Sequence, residues 1–257
     1  MATGVAVRAA GTALFLVALR RLLGLACALP REARGSALAA GVLVAVQSYC
    51  LYSAVALIPA ALALLVFQVC PMLYVLLSWA AGKERPRGLA LLAMPLALVG
   101  LAAALDIRWD ALSERWSQIG AGATWAFAGA LSYSVVLYVN ANRLKALDGR
   151  LRTLLMTGIT ALLAAVAGGG AGALAPPAGG TGWLALLLLT VFYGAAMISL
   201  FIVLPRVPPA STVALNFEPI ALLALAWVFL GQAVAPLQVL GAFVVVGAIA
   251  WLGTAKR

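Results

Sequence analysis

Histidine is absent from this chain of 257 residues, and only seven residues, Asp or Glu, carry a carboxylate. Without histidine, no Ser-His-Asp triad, histidine proton relay or histidine-bearing zinc site can be built. Cysteine is scarce as well. Cys27, Cys50 and Cys70 are odd in number, are not spaced as metal ligands and lie in apolar runs, so free thiols are expected instead of disulfides. The glycine run at 168–172 lacks the Lys-Ser/Thr of a phosphate-binding loop and is expected to allow close helix packing or a bend. Neither a cofactor nor a metal is expected, and no catalytic set is evident.

What the chain does have is apolar surface. Its residues are 65% apolar and 9% charged, with a mean hydropathy of +1.11, more than one water-soluble core can hide. An all-α, polytopic membrane helical bundle follows. A helical span takes about 20 residues, so about nine spans would consume the length and leave no soluble domain. Apolar runs bounded by charge, Pro or Gly place them at 10–29, 36–57, 60–81, 88–105, 118–140, 153–174, 182–204, 209–230 and 235–253. No cleavable signal peptide is evident, because the run after Arg8 is interrupted by Arg20 and Arg21 and followed by Arg31 and Arg34.

The net charge of +10 comes from 17 Lys and Arg, which in a soluble protein would raise the question of nucleic acid. Here the distribution gives another reading. With the carboxyl terminus in the cytoplasm, the inner segments 30–35, 82–87, 141–152, 205–208 and the tail after 253 hold twelve basic residues. Arg108 and Arg115 in an outward loop at 106–117, with Arg8 on the amino-terminal flank, make three outside. This is the positive-inside pattern, and nucleic acid is not an expected partner.

Two stretches look alike. Pro59 pairs with Pro208 and Gly82 with Gly231 at an offset of 149, and mid-helix Pro71 pairs with Pro219 at 148. Each is followed by one more apolar helix with a late glycine, Gly100 or Gly247. The offset brackets five spans, an odd number, so the copies would face opposite ways. The charges agree, since Gly82 is followed by Lys83, Glu84 and Arg85 and Gly231 by uncharged residues. Inverted repeats of this kind are an architecture of alternating-access transporters.

On these residues the chain resembles the drug/metabolite transporter superfamily, in its EamA-domain branch. The motifs are ALIPAALALLVF at 56–67 with Pro71 and GKER at 82–85, then NFEP at 216–219, LGQ at 230–232 and PLQVLG at 236–241. ALRRLL at 18–23 looks like the arginine-bearing start of that family's second helix. The resemblance implies two EamA-type repeats, 1–105 and 118–257, of a ten-helix fold lacking most of helix one. Val5 to Arg8 would be the end of that helix, just before the loop into the second, which implies a late start of the chain. The sequence departs from the family at Gln232, where Glu is common after the Gly.

Glu218 is the one acidic residue within an apolar span. A carboxyl group there costs about 2.5 to 3.5 kcal/mol to insert, and it can exchange a proton or pair with a cationic substrate. Pro219 removes a backbone donor and can break the helix, exposing carbonyls. Gln68 and Pro71 make the corresponding feature of the first repeat, with Cys70 in the place of Glu218. Asn216, Gln47, Tyr52, Trp125 and Tyr133 are further mid-depth groups, along with Tyr49, Ser132, Tyr193 and Trp227, and Arg20 or its neighbour Arg21 is expected to line a cavity while the other snorkels. For the aromatic and amide groups an ordinary helix contact is an equal reading.

The expected activity is secondary transport, the export of a small amphipathic metabolite or drug across a bacterial inner membrane, with the lipid bilayer, a small-molecule substrate and protons as partners and a homodimer allowed. A non-transporting assembly partner and an intramembrane enzyme are the alternatives. The enzyme is disfavoured by a lone Glu and no His.

Overall fold

The computed structural model describes residues 2–22, 29–83, 85–86, 88–105, 116–170, 172, 177, 179–230 and 235–254. Cys27, the outward loop at 106–115, Gly231, Gln232 and the basic tail Lys256 and Arg257 lie outside the described residues. The described chain is all-helical, and five of its helices are long and apolar enough to cross a membrane: Arg31–Leu57, Ala60–Ala80, Ile119–Asn142, Gly149–Gly170 and Gly180–Arg206.

In chain order the elements are α1 (Ala2–Leu22), α2 (Arg31–Leu57), α3 (Ala60–Phe67), α4 (Cys70–Ala80), α5 (Gly88–Ala104), α6 (Trp116–Asn142), α7 (Gly149–Gly170), α8 (Gly180–Val203), a 3-10 stretch (Pro209–Phe217), α9 (Glu218–Leu230) and α10 (Pro236–Thr254). Prolines and glycines set the punctuation. Pro59 and Pro208 are N-caps of matching geometry, φ −52° and ψ 137° against φ −59° and ψ 148°, an extended conformation from which a helix starts without needing the proline's missing N–H. Gly82, at φ 71°, closes α4: its own N–H reaches the Trp79 carbonyl and that of Lys83 the Ser78 carbonyl. A Cβ would strain that left-handed turn.

Two expected boundaries are corrected. The first helix is not a span at 10–29 preceded by the tail of another. α1 runs without a break from Ala2 to Leu22, so Val5 to Arg8 lie inside it, and Arg20 and Arg21 occupy its last turn instead of beginning a helix. The intervening residues are mostly Ala, Leu and Val, which offer no cause for a loop. Likewise α7 begins at Gly149 and not 153, because the Asp148 carboxylate accepts the Arg150 N–H at 2.6 Å and its carbonyl accepts the Arg152 N–H at 3.0 Å. Arg152 is therefore in a helix and 3% exposed, not in a solvated inner loop.

The chain forms two compact units, Met1–Ser48 with Val135–Val207 and Tyr49–Ser134 with Pro208–Arg257. Each unit draws on both halves of the sequence, and α2 and α6 contribute to both.

In the first unit α1 packs on α7 and α8. Small residues set the approach: Gly11 lies against Thr190 and Gly194 against Thr12, while Gly41 receives Ile159 and Gly149 receives Ile202. The second unit is centred on α5 and α10, whose backbones meet. A Cβ on Gly241 would come within 2.4 Å of the Gly100 carbonyl oxygen and the Ala104 nitrogen. Around this crossing pack Leu101, Ala104, Ile220 and Val245, and beside them Val75, Met94, Ala97, Val213 and Ala248.

Candidate functional site

The sequence places two prolines inside apolar runs, and both interrupt their helices by the same chemistry. A proline supplies no N–H to the carbonyl four residues back and crowds it. Pro71 thus forfeits the bond to the Phe67 carbonyl, and α3 gives way to α4 through a tightened turn in which the Val69 N–H reaches Val66 at 3.2 Å. Pro219 forfeits the bond to Leu215, and the nine residues before Glu218 are wound as a 3-10 helix. Runs of that type beyond 3–4 residues are uncommon and often mark a hinge or strain.

The two interruptions lie against each other within the second unit. The Gln68 side chain, 6% exposed, donates its Nε2–H to the Leu215 carbonyl at 3.1 Å. That carbonyl is the one Pro219 leaves without its α-helical partner, and it also accepts the Glu218 N–H in the 3-10 pattern. An amide from the first interruption therefore completes the backbone of the second.

The other expected residues fall around this pair or apart from it. Asn216 is buried in the 3-10 stretch, and its Oδ1 has no hydrogen-bond partner among the described residues. Pro71 and Pro219 are buried. Glu218 opens α9 with an exposed side chain that makes no hydrogen bond or ion pair among the described residues. The first turn of a helix suits a carboxylate, since the amide dipoles converge there. Tyr133 packs its ring on Phe67, the last residue of α3, with centroids 5.9 Å apart. Trp125 is 38% exposed and meets Tyr49 edge to face at 5.7 Å. Tyr52 is half-buried.

Gln47 and Arg20 belong to the first unit. Gln47 is buried in α2 and accepts a 3.5 Å hydrogen bond from the Ser48 hydroxyl. Arg20 is buried at the end of α1 with its Nη1 4.0 Å from the Asp148 carboxylate, while Arg21 is exposed. The Arg20 contact is thus to the turn between α6 and α7.

Sequence reading missed two polar clusters of the first unit. In one, Arg152 donates from its two terminal nitrogens to the carbonyl of Asn140, at 3.0 Å, and to that of Phe201. These are orphan carbonyls in the last turns of α6 and α8, so one cation caps two helix ends. In the other, Arg8 lies with its guanidinium 4.4 Å from the centroid of the Tyr193 ring and donates to the Ser48 hydroxyl at 3.4 Å. The signal for Arg152 was in the sequence, as Asp148 four residues earlier is an N-cap residue. For Arg8 no local signal exists, because its partners come from α2 and α8.

Neither a family model nor a curated protein matches the chain. A crystal structure does: it superposes on 98% of this chain and 87% of its own with a TM-score of 0.79, at 21% sequence identity. At that identity the likeness shows the fold: an established helical architecture, taken over nearly the whole chain.

Proposed function

We propose that this chain is a secondary transporter of the EamA type in the drug/metabolite transporter superfamily, a nine-span bundle of two inverted repeats that exports a small amphipathic metabolite by alternating access with proton exchange. One observation carries the reading: two proline-interrupted spans held together by the Gln68 to Leu215 hydrogen bond, with Glu218 the first residue past the second interruption. Interrupted helices at membrane depth are tolerated where they are buried in protein or line a cavity, and there they serve binding. The equivalent N-caps Pro59 and Pro208 support the repeat. In this scheme Glu218 carries the exchangeable proton, and the long 3-10 stretch is the segment that changes winding as the site opens to either side.

Efflux from proteoliposomes over a panel of amino acids, nucleosides and cationic dyes tests the activity. Transport of some panel member with a dependence on the proton gradient is expected. No flux above protein-free vesicles at verified incorporation would remove the reading.

We place the protein in a bacterial inner membrane with a cytoplasmic carboxyl terminus. A cysteine at Ser113 should then react with an impermeant thiol reagent added outside intact cells, and one at Ala146 should be spared. The reverse pattern would overturn this topology.

A further inference from the structure

One end of the first unit gathers cations for which the transport reading has no use. Arg20, in the last turn of α1, comes within 4.0 Å of the Asp148 carboxylate, which belongs to the turn between α6 and α7. Arg152, at the start of α7, donates to the Asn140 carbonyl near the end of α6 and to the Phe201 carbonyl near the end of α8. Arg206, just past α8, donates to the Ile202 carbonyl at 2.6 Å. The ends of α1, α6 and α8 therefore meet the start of α7, and residues 20–22, 141–152 and 204–206 lie at one end of the unit.

The turn between α6 and α7 is folded, and its folding decides where its charges go. Leu144 and Leu147 are buried, held by bonds from the Arg143 and Leu144 N–H groups to the Val139 carbonyl, at 2.8 and 2.9 Å, and from the Leu147 N–H to the Leu144 carbonyl, at 2.9 Å. Beside them Arg143 and Lys145 are exposed, as are Arg21 and Arg206, and Arg150 is half-buried. With buried Arg20 and Arg152, these segments carry seven cations and a single carboxylate, that of Asp148. Three helix C-termini add about half a negative charge each and the start of α7 about half a positive one, so together with Asp148 they offset about two of the seven. A positive excess is left, and most of it is on side chains that reach solvent or headgroups.

We propose that this end of the first unit binds an anionic phospholipid, with Arg21, Arg143, Lys145 and Arg206 on the headgroup phosphate. Guanidinium groups match phosphate oxygens with a planar fork of N–H donors, and basic groups between or beside membrane helix ends attract anionic headgroups. The apolar neighbours favour a lipid over a free phosphate. Leu22, next to Arg21, is 85% exposed, and Val203, three residues before Arg206, is 50% exposed. Each offers an acyl chain an apolar surface beside a cation, from which an inorganic phosphate would gain nothing. The proposal rests on helices that cross a membrane and is independent of transport.

The full chain, purified in an uncharged detergent, is titrated with phosphatidylglycerol or with phosphatidylcholine of the same acyl chains, and bound lipid is counted by native mass spectrometry. Phosphatidylglycerol should bind about tenfold more tightly or better. A basic residue near an anionic headgroup is worth about fivefold in affinity before screening, so Arg143→Gln, Lys145→Gln and Arg206→Gln combined should weaken phosphatidylglycerol by about tenfold or more and leave phosphatidylcholine unchanged. Arg143→Lys with Arg206→Lys, which keeps the charge, should bind nearly as the wild type does. Lys83→Gln with Arg85→Gln, which neutralises exposed cations of the other unit, should change binding by less than about twofold. Equal affinity for the two lipids, or an unchanged preference in the triple variant, would overturn the proposal. So would an equal loss in the Lys83 and Arg85 pair, which would reduce the effect to general attraction between basic segments and anionic lipid. Displacement of the lipid by millimolar inorganic phosphate would also overturn it, by assigning the cations to a soluble anion. None of these measurements reads flux, so their outcome is separate from that of the transport assay.

Discussion

The unit built on α1, α7 and α8 keeps its helices unbroken and holds arginines against them, whereas the unit built on α3 to α5, α9 and α10 breaks two helices and has amides and hydroxyls as its buried polar groups. In the first, Arg152 caps the ends of α6 and α8 and Arg20 meets Asp148 beside the start of α7. Such contacts fix helix ends. In the second, the Gln68 amide compensates a carbonyl near the junction of the 3-10 stretch and α9. A contact of that kind satisfies a carbonyl that an irregular backbone leaves without its α-helical partner. Under the proposed transport function, the cation-fastened unit is the one expected to stay rigid and the proline-interrupted unit the one expected to move.

The two units also differ in how helices cross, and the largest effect expected follows from that. At the α5–α10 crossing, Gly241 faces backbone atoms that cannot yield. Gly241→Ala should cost about 3 kcal/mol after the small gain in helix propensity. Gly11→Ala meets the side chain of Thr190 and no backbone atom of another helix, and should cost about 1 kcal/mol. Thermal unfolding followed by size-exclusion chromatography ranks the two variants, and equal losses would erase the contrast.

Next in size is Arg152→Met, which leaves the Asn140 and Phe201 carbonyls without their charged donor and should lower stability by about 2 kcal/mol. Arg152→Lys should recover part of it, since an ammonium reaches one carbonyl better than two. Per folded molecule, transport should be unaffected. A folded Arg152→Met protein with wild-type stability but no flux would place the moving element in the wrong unit.

The smallest stability effect is expected at the interruption itself. Gln68→Leu removes one interhelical hydrogen bond, a contact worth about 0.6 to 1.7 kcal/mol in membrane helices, yet it should slow flux more than Arg152→Met does. A larger stability loss than that of Arg152→Met would make the Gln68 contact a clamp like those of the other unit, and the comparison would fail.

How far these features were legible depends on what competed with each local signal. Pro59, Pro71, Pro208 and Pro219 carry their geometry in the residue type, so the starts of α3 and of the 3-10 stretch and both interruptions could be read from the sequence. Gln68 could be named beside Pro71, but not its acceptor, because Leu215 is 147 residues away. Charge misled at the other places. Arg8 and Arg152 were taken for flanks and loops because a cation inside an apolar run usually marks a boundary. Each is held by groups from other helices, a ring and a hydroxyl for Arg8 and two helix-end carbonyls for Arg152, and such compensation leaves no trace in neighbouring sequence.

The most direct test of the account is the Glu218→Gln variant, assayed in proteoliposomes at matched incorporation for flux with and without an imposed pH gradient. Gln preserves shape and hydrogen-bonding capacity but cannot ionise. Proton-coupled transport should be abolished while insertion and unfolding temperature stay at wild-type values, and substrate exchange that needs no net proton movement should persist. Wild-type rates with an unchanged dependence on pH would contradict the assignment of Glu218 as the proton carrier, and with it the claim that the interrupted spans form the transport site.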